Sequence, residues 1–134
     1  MPLKYILLSF FILLQTGCSC FTPEAEHGLK KISVAEVSKD IYGGSPKFVI
    51  LDANPESVRS SKGTVPNARL LSSYDQYRLD ELPADKTTPL VFYCFNEACG
   101  ASTQAANRAL TSGYKNVSVM EGGITGWNKE HPRN

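Results

Sequence analysis

The chain predicts an α/β fold, a mostly parallel sheet flanked by helices, and three observations carry that expectation. The runs Lys47-Phe-Val-Ile-Leu51 and Leu90-Val-Phe-Tyr93 have the length and apolar content of strands buried on both faces. The stretch from Ala101 to Ser112 places Ala105, Ala106, Ala109 and Leu110 on one helical face and stops at Gly113. Strand-like and helix-like segments alternate along the chain, as they must when parallel strands are joined by crossover helices.

Taken in order, Lys31-Ile-Ser33 reads as a short first strand, with Ser33 a candidate cap for a helix from Val34 to about Tyr42. Gly43-Gly-Ser-Pro46 breaks that helix, and the Lys47–Leu51 strand ends at Asp52. A helical turn around Pro55 to Arg59 precedes the loop Gly63-Thr-Val-Pro66. Ala68-Arg-Leu-Leu71 is a further short strand, followed by a modest helix or turn from Ser73 to Leu79. After the Leu90–Tyr93 strand and the Ala101–Ser112 helix come a last strand, Val117-Ser-Val-Met120, and a turn at Glu121-Gly-Gly123. A terminal helix runs from Ile124 to about Glu130 and carries Trp127, whose spacing suits core packing.

The first residues speak to compartment. Lys4 is the only charge among the first twenty residues, and an apolar stretch from Tyr5 to Leu14 follows, interrupted only by Ser9. A basic start and an apolar run too short to span a bilayer are the marks of an export signal. Gln15-Thr-Gly-Cys18 resembles the lipid-attachment site of bacterial lipoproteins, although Gln15 stands where an aliphatic residue is usual. Lipidation of Cys18 is preferred over ordinary signal cleavage and over an uncleaved anchor. The expectation is a signal peptide at residues 1–17, a tether at 18–30 holding Cys20 and His27, and one domain at 31–134, membrane-anchored and facing the periplasm.

The formal net charge is +1, and without the leader the chain is close to neutral with no basic run. Nucleic acid is therefore not an expected partner, and the membrane tether is the lipid on Cys18 rather than a charged surface. His27 and His131 are not spaced with cysteines as metal ligands would be, so no metal and no cofactor is expected, and both histidines read as solvent-exposed. Asp52 ends a strand, where an aspartate more often braces a turn than acts as a general acid.

Cys94 is the most informative residue. It closes the Leu90–Tyr93 strand and faces the start of the Ala101 helix across the loop Phe95-Asn-Glu-Ala-Cys-Gly100. In open α/β sheets the ligand site lies beyond the strands' C-terminal ends. A helix N-terminus there offers free amides and a positive dipole end, which lower a thiol pKa and favour the nucleophilic thiolate. The competing reading is a buried structural cysteine.

Ile32-Ser-Val34, Val49-Ile-Leu-Asp52, Gly63-Thr-Val-Pro-Asn-Ala68, Val91-Phe-Tyr-Cys94, Ala105-Ala106, Gly113-Tyr-Lys-Asn-Val117 and Glu121-Gly-Gly-Ile-Thr-Gly-Trp127 occur in this order. In that order they resemble a single-domain rhodanese, from about Ile32 to Trp127. The resemblance implies a rhodanese-like five-stranded mostly parallel sheet flanked by helices. It also implies sulfurtransferase chemistry: a thiolate takes sulfane sulfur from a small donor, holds it as a persulfide and passes it to a thiol acceptor, small molecule or protein. It makes Cys94 the persulfide site and the backbone of Phe95, Asn96, Glu97, Ala98, Cys99 and Gly100 its cradle.

Several positions depart from the common pattern. Ser102 takes the place of the helix-starting serine after a longer loop, and Ala101 stands where an Arg is frequent. The loop has no Lys or Arg and carries Glu97, which disfavours an anionic donor such as thiosulfate and argues against the oxyanion chemistry of related phosphatases and arsenate reductases. Asn54 replaces an Arg after Asp52, and Thr64 replaces a His. Cys99 shares the loop with Cys94 and is a possible redox partner; the alternative to sulfur relay is a thiol–disulfide module using both, or a non-catalytic rhodanese-like binding domain. A relay protein is expected to keep both thiols free and to turn Cys99 away from Cys94 or pack it inward.

Overall fold

The computed structural model describes residues 29–133. The expected signal peptide, the lipidation site Cys18, Cys20, His27 and nearly all of the tether lie outside the described residues. Five strands, β1 (Lys30–Ile32), β2 (Val49–Asp52), β3 (Arg69–Leu70), β4 (Leu90–Tyr93) and β5 (Val117–Met120), alternate with four α-helices. The helices are α1 (Val34–Tyr42), α2 (Glu56–Lys62), α3 (Ala101–Thr111) and α4 (Gly123–Glu130). The strands form one parallel sheet in the order β1-β5-β4-β2-β3. Register pairs Asp52 with Tyr93 and Leu90 with Val117, so the tips of β2 and β4 end side by side.

β4 is central, and its alternating side chains divide the core in two. Leu90, Phe92 and Cys94 face α3, packing with Leu51, Tyr77, Ala105, Ala106 and Ala109. Val91 and Tyr93 face the opposite layer, with Val34 and Val37 of α1 and Ile124 and Trp127 of α4. All four β4 residues are buried, which explains the unbroken apolar run. The alanines of α3 bring its backbone close to the sheet and therefore close to Cys94.

α1 begins as expected with a capping box. Glu36 N donates to Ser33 Oγ at 3.2 Å, and Ser33 N donates to Glu36 Oε2 at 3.0 Å. α2 is longer than the expected turn and reaches Lys62, while β3 is limited to Arg69 and Leu70, paired on one edge only. The Ser73–Leu79 segment forms turns, and a short 3-10 helix follows at Leu79–Glu81. Here Glu81 accepts from Ser72 N, Ser72 Oγ and Arg78 N, local bonds that compete with a regular helix. His131 is not free in solvent. It stacks on Trp127 at 4.0 Å between ring centroids and lies 2.9 Å from Ser38 Oγ, tying α4 to α1.

Asp52 is fully buried and braces the sheet tip. It accepts from Tyr93 Oη at 2.7 Å and from Asn54 N at 2.7 Å, while Tyr93 Oη accepts from Val65 N at 3.0 Å. Arg59 reaches over from α2, with Nε 3.6 Å from Asp52 Oδ2 and Nη2 donating to the carbonyls of Asp52 and Leu71. The cation that Asn54 does not provide thus comes from the next helix. Burial, with the adjacent Asp52, pushes the Tyr93 phenol far above its ordinary range, so it remains a donor. Tyr93→Phe would strand Val65 N and a lone pair of Asp52; urea unfolding should show a loss of about 1–3 kcal/mol, and an unchanged midpoint would refute the bracing role.

Candidate functional site

Cys94 follows β4 directly, and its backbone is held from below by α4. Ile124 N donates to Cys94 O at 2.8 Å and Thr125 N to Phe95 O at 3.0 Å. This approach depends on Gly123. A Cβ there would stand 2.5 Å from Cys94 O and 2.7 Å from the Phe95 carbonyl carbon, at a φ of 55° that side chains disfavour. Gly122, at φ 80°, turns the chain out of β5 so that this contact can form.

Above that base the loop folds on itself. Ala98 N donates to Asn96 Oδ1 at 3.0 Å and Cys99 N to Asn96 O at 3.1 Å, so these two amides are engaged within the loop. Glu97, Ala98 and Gly100 are exposed, while Phe95, Asn96 and Cys99 are half-buried. Gly100 occupies the N-cap of α3 and offers no side-chain acceptor to the helix's first amides.

Cys94 and Cys99 are both free thiols, and Cys99 is half-buried, packed against the α3-side core. Cys94 is buried, with Sγ 3.2 Å from Ser102 Oγ and 3.2 Å from the carbonyl oxygen of Cys99. Burial, chiefly, and the hydrogen bond to Cys99 push the Cys94 thiol above its ordinary pKa, against the downward pull of Ser102. Burial also pushes Cys99 up, but the Cys94 thiol and the amides of Phe95, Ala101 and Ser102 outweigh it and hold Cys99 below the ordinary range. The Ser102 amide favours the thiolate form of both cysteines, and the amides of Phe95 and Ala101 favour that of Cys99.

A cavity of about 410 Å³ opens beside the loop and is lined by Cys99, Ser102, Thr103, Glu97, Lys31 and Glu121, among others. Lys31 supplies the positive charge that the loop lacks, from the edge strand β1, and pairs with Glu121 at 3.4 Å. No signal along the chain joined Lys31 to the Cys94 loop, because only the β1–β5 pairing brings it there. Asp52 is spent on bracing, as its position suggested, and Arg59 was missed because its role depends on how α2 lies against the sheet.

A family model described as the rhodanese-like domain matches residues 33–130. The chain belongs to the rhodanese-like domain family. Three solved structures illustrate the shared fold. A protein from Bacillus halodurans is 24% identical, with a TM-score of 0.66 over 76% of this chain and 73% of its own. The rhodanese-like domain of an Anabaena protein is 20% identical, with a TM-score of 0.63 over 75% of this chain and 74% of its own. A rhodanese-like domain protein from Staphylococcus aureus is 24% identical, with a TM-score of 0.58 over 74% of this chain and 91% of its own. None of the curated proteins matches this chain.

The Ser102 hydroxyl is the neighbour best placed to stabilise a charged sulfur on Cys94. Ser102→Ala should move the pH midpoint of Cys94 alkylation upward, since the bond it removes favours the thiolate. Alkylation followed by peptide mapping reads this out, and an unmoved midpoint would show that the hydroxyl is not donating to sulfur.

Proposed function

We propose that this rhodanese-like protein is a sulfurtransferase of the sulfur-relay kind, which carries sulfane sulfur as a persulfide on Cys94. The observation that supports this most is the Cys94 sulfur at the tip of the central strand, 3.2 Å from Ser102 Oγ at the start of α3. A sulfur held there is shielded from solvent and meets a hydroxyl and a helix N-terminus, which suit an anionic outer sulfur. Its partners are a small sulfur donor and a thiol acceptor. The sequence of residues 1–18 supports an exported, membrane-anchored protein with lipid on Cys18, facing the periplasm.

A second reading, a thiol–disulfide module, is favoured by the closeness of the two residues in the loop, where Cys94 Sγ lies 3.2 Å from the Cys99 carbonyl oxygen and both thiols are free. One experiment separates the two. After incubation with a persulfide donor, the protein is alkylated and cleaved after Glu97, which puts the two cysteines on different peptides. Relay predicts one added sulfur on the Cys94 peptide at steady state, and Cys94→Ala should lose delivery to an acceptor thiol while stability changes by about 1–2 kcal/mol. A linked pair of peptides with no added sulfur would replace relay by disulfide exchange.

Thiosulfate should be a poor donor. Glu97 and Glu121 both border the cavity, and its Lys31 is already paired. Ala101 is partly buried against the α3-side core, so a charge is better altered at the exposed Glu97. Glu97→Lys should raise kcat/KM for thiosulfate by roughly two- to fivefold at low salt, with the gain fading as ionic strength rises. Efficient thiosulfate turnover by the unaltered protein would contradict this electrostatic argument.

A further inference from the structure

The two thiols of the loop stand in opposite chemical surroundings. Cys94 faces the carbonyl oxygen of Cys99 at 3.2 Å, and a carbonyl can only accept, so it keeps a proton on the Cys94 sulfur. Cys99 is held below its ordinary pKa despite its burial, with the amides of Phe95, Ala101 and Ser102 contributing. Access is divided in the same way. Cys94 is 1% exposed and is not among the residues lining the cavity of about 410 Å³, whereas Cys99 is half-buried and lines it.

We propose that Cys99 is the thiol that takes sulfur from the donor, a small organic persulfide without net negative charge seated in this cavity, and hands it inward to Cys94. This rests on the reading of Cys94 as the carrier. The donor class follows from the walls of the cavity, where Glu97 and Glu121 face one lysine, Lys31, already 3.4 Å from Glu121.

In the first step the Cys99 thiolate attacks the outer sulfur of the donor R–S–SH. A Cys99 S–S bond forms, the donor's S–S bond breaks, and the thiolate R–S⁻ leaves. In the second step the Cys94 sulfur attacks that same outer sulfur. The Cys94 S–S bond forms, the Cys99 S–S bond breaks, and the proton of the Cys94 thiol passes to the departing Cys99 sulfur. No oxidant or reductant is consumed, and an acceptor thiol unloads the pair by the reverse path. Both thiols belong to one loop, with Cys94 Sγ 3.2 Å from the Cys99 carbonyl oxygen, so the transfer is intramolecular.

The test uses the full chain with cysteamine persulfide, whose ammonium balances its ionised persulfide, as the probe, quenched at successive times, alkylated and cleaved after Glu97. The added sulfur should reach the Cys99 peptide first and the Cys94 peptide later. Cys99→Ser is a near-isosteric change at a half-buried position and should retain the fold, yet slow the loading of Cys94 at least about tenfold. Cys99→Ala should do the same, and Cys94→Ser should still load Cys99 and hold the sulfur there. If Cys99→Ser loads Cys94 at the parent rate, the receiving role of Cys99 is overturned while Cys94 remains the carrier. If sulfur in the parent stays on Cys99 and never reaches Cys94, the carrier reading fails and Cys99 alone holds the sulfur. A Cys94–Cys99 disulfide formed with release of sulfide overturns the handover.

Discussion

The site depends on one backbone contact, the approach of the α4 N-terminus to the carbonyls of Cys94 and Phe95. Amides of Ile124 and Thr125 reach those oxygens at 2.8 and 3.0 Å only because Gly123 presents no side chain. These are orphan donors of a helix end, and capturing two strand-tip carbonyls satisfies both partners at once. With its backbone held from the α4 side, Cys94 directs its sulfur to the other layer, towards α3. The strand alternation of β4 demands the same direction, since Cys94 shares a face with Leu90 and Phe92.

That placement sets the electrostatics of the thiols. Cys94 lies deep enough for desolvation to dominate, and desolvation favours the neutral thiol. Cys99 lies nearer the surface and takes up the helix-end amides, whose summed donation outweighs its smaller burial. A helix N-terminus stabilises whichever sulfur it meets within its first turn, because the dipole's effect decays over that distance. The loop therefore holds its two thiols in different surroundings, Cys94 buried and Cys99 nearer the surface.

The network beneath the site has a different purpose. Asp52, Tyr93 and Arg59 lock the tips of β2 and β4 to α2, and the Tyr93 hydroxyl extends the lock to Val65. A buried ion pair is weak evidence for net stability, because desolvation offsets much of the attraction. Its contribution is geometric. Removing one member leaves the others buried without partners, and the tip of β4 would lose the position on which Cys94 depends.

Much of the fold follows from the sequence alone. The apolar runs at Val49–Leu51 and Leu90–Tyr93, the Ser33 cap with Glu36, and the alanine face of α3 are local signals, carried by periodicity and side-chain chemistry within a few residues. The motif order from Ile32 to Trp127 identified the family for the same reason. The Ser73–Leu79 segment was ambiguous because Ser72, Arg78 and Glu81 satisfy one another locally, with no helical or strand period. What only the tertiary structure decided is the environment of each reactive group. Lys31 joins the cavity through the β1–β5 pairing, Arg59 replaces the arginine absent at Asn54 by reaching back from α2, and Cys99 lines the cavity while Cys94 is buried. These are long-range outcomes of how the strands are ordered and how deeply each sulfur is buried, and neither is encoded in the spacing of neighbouring residues.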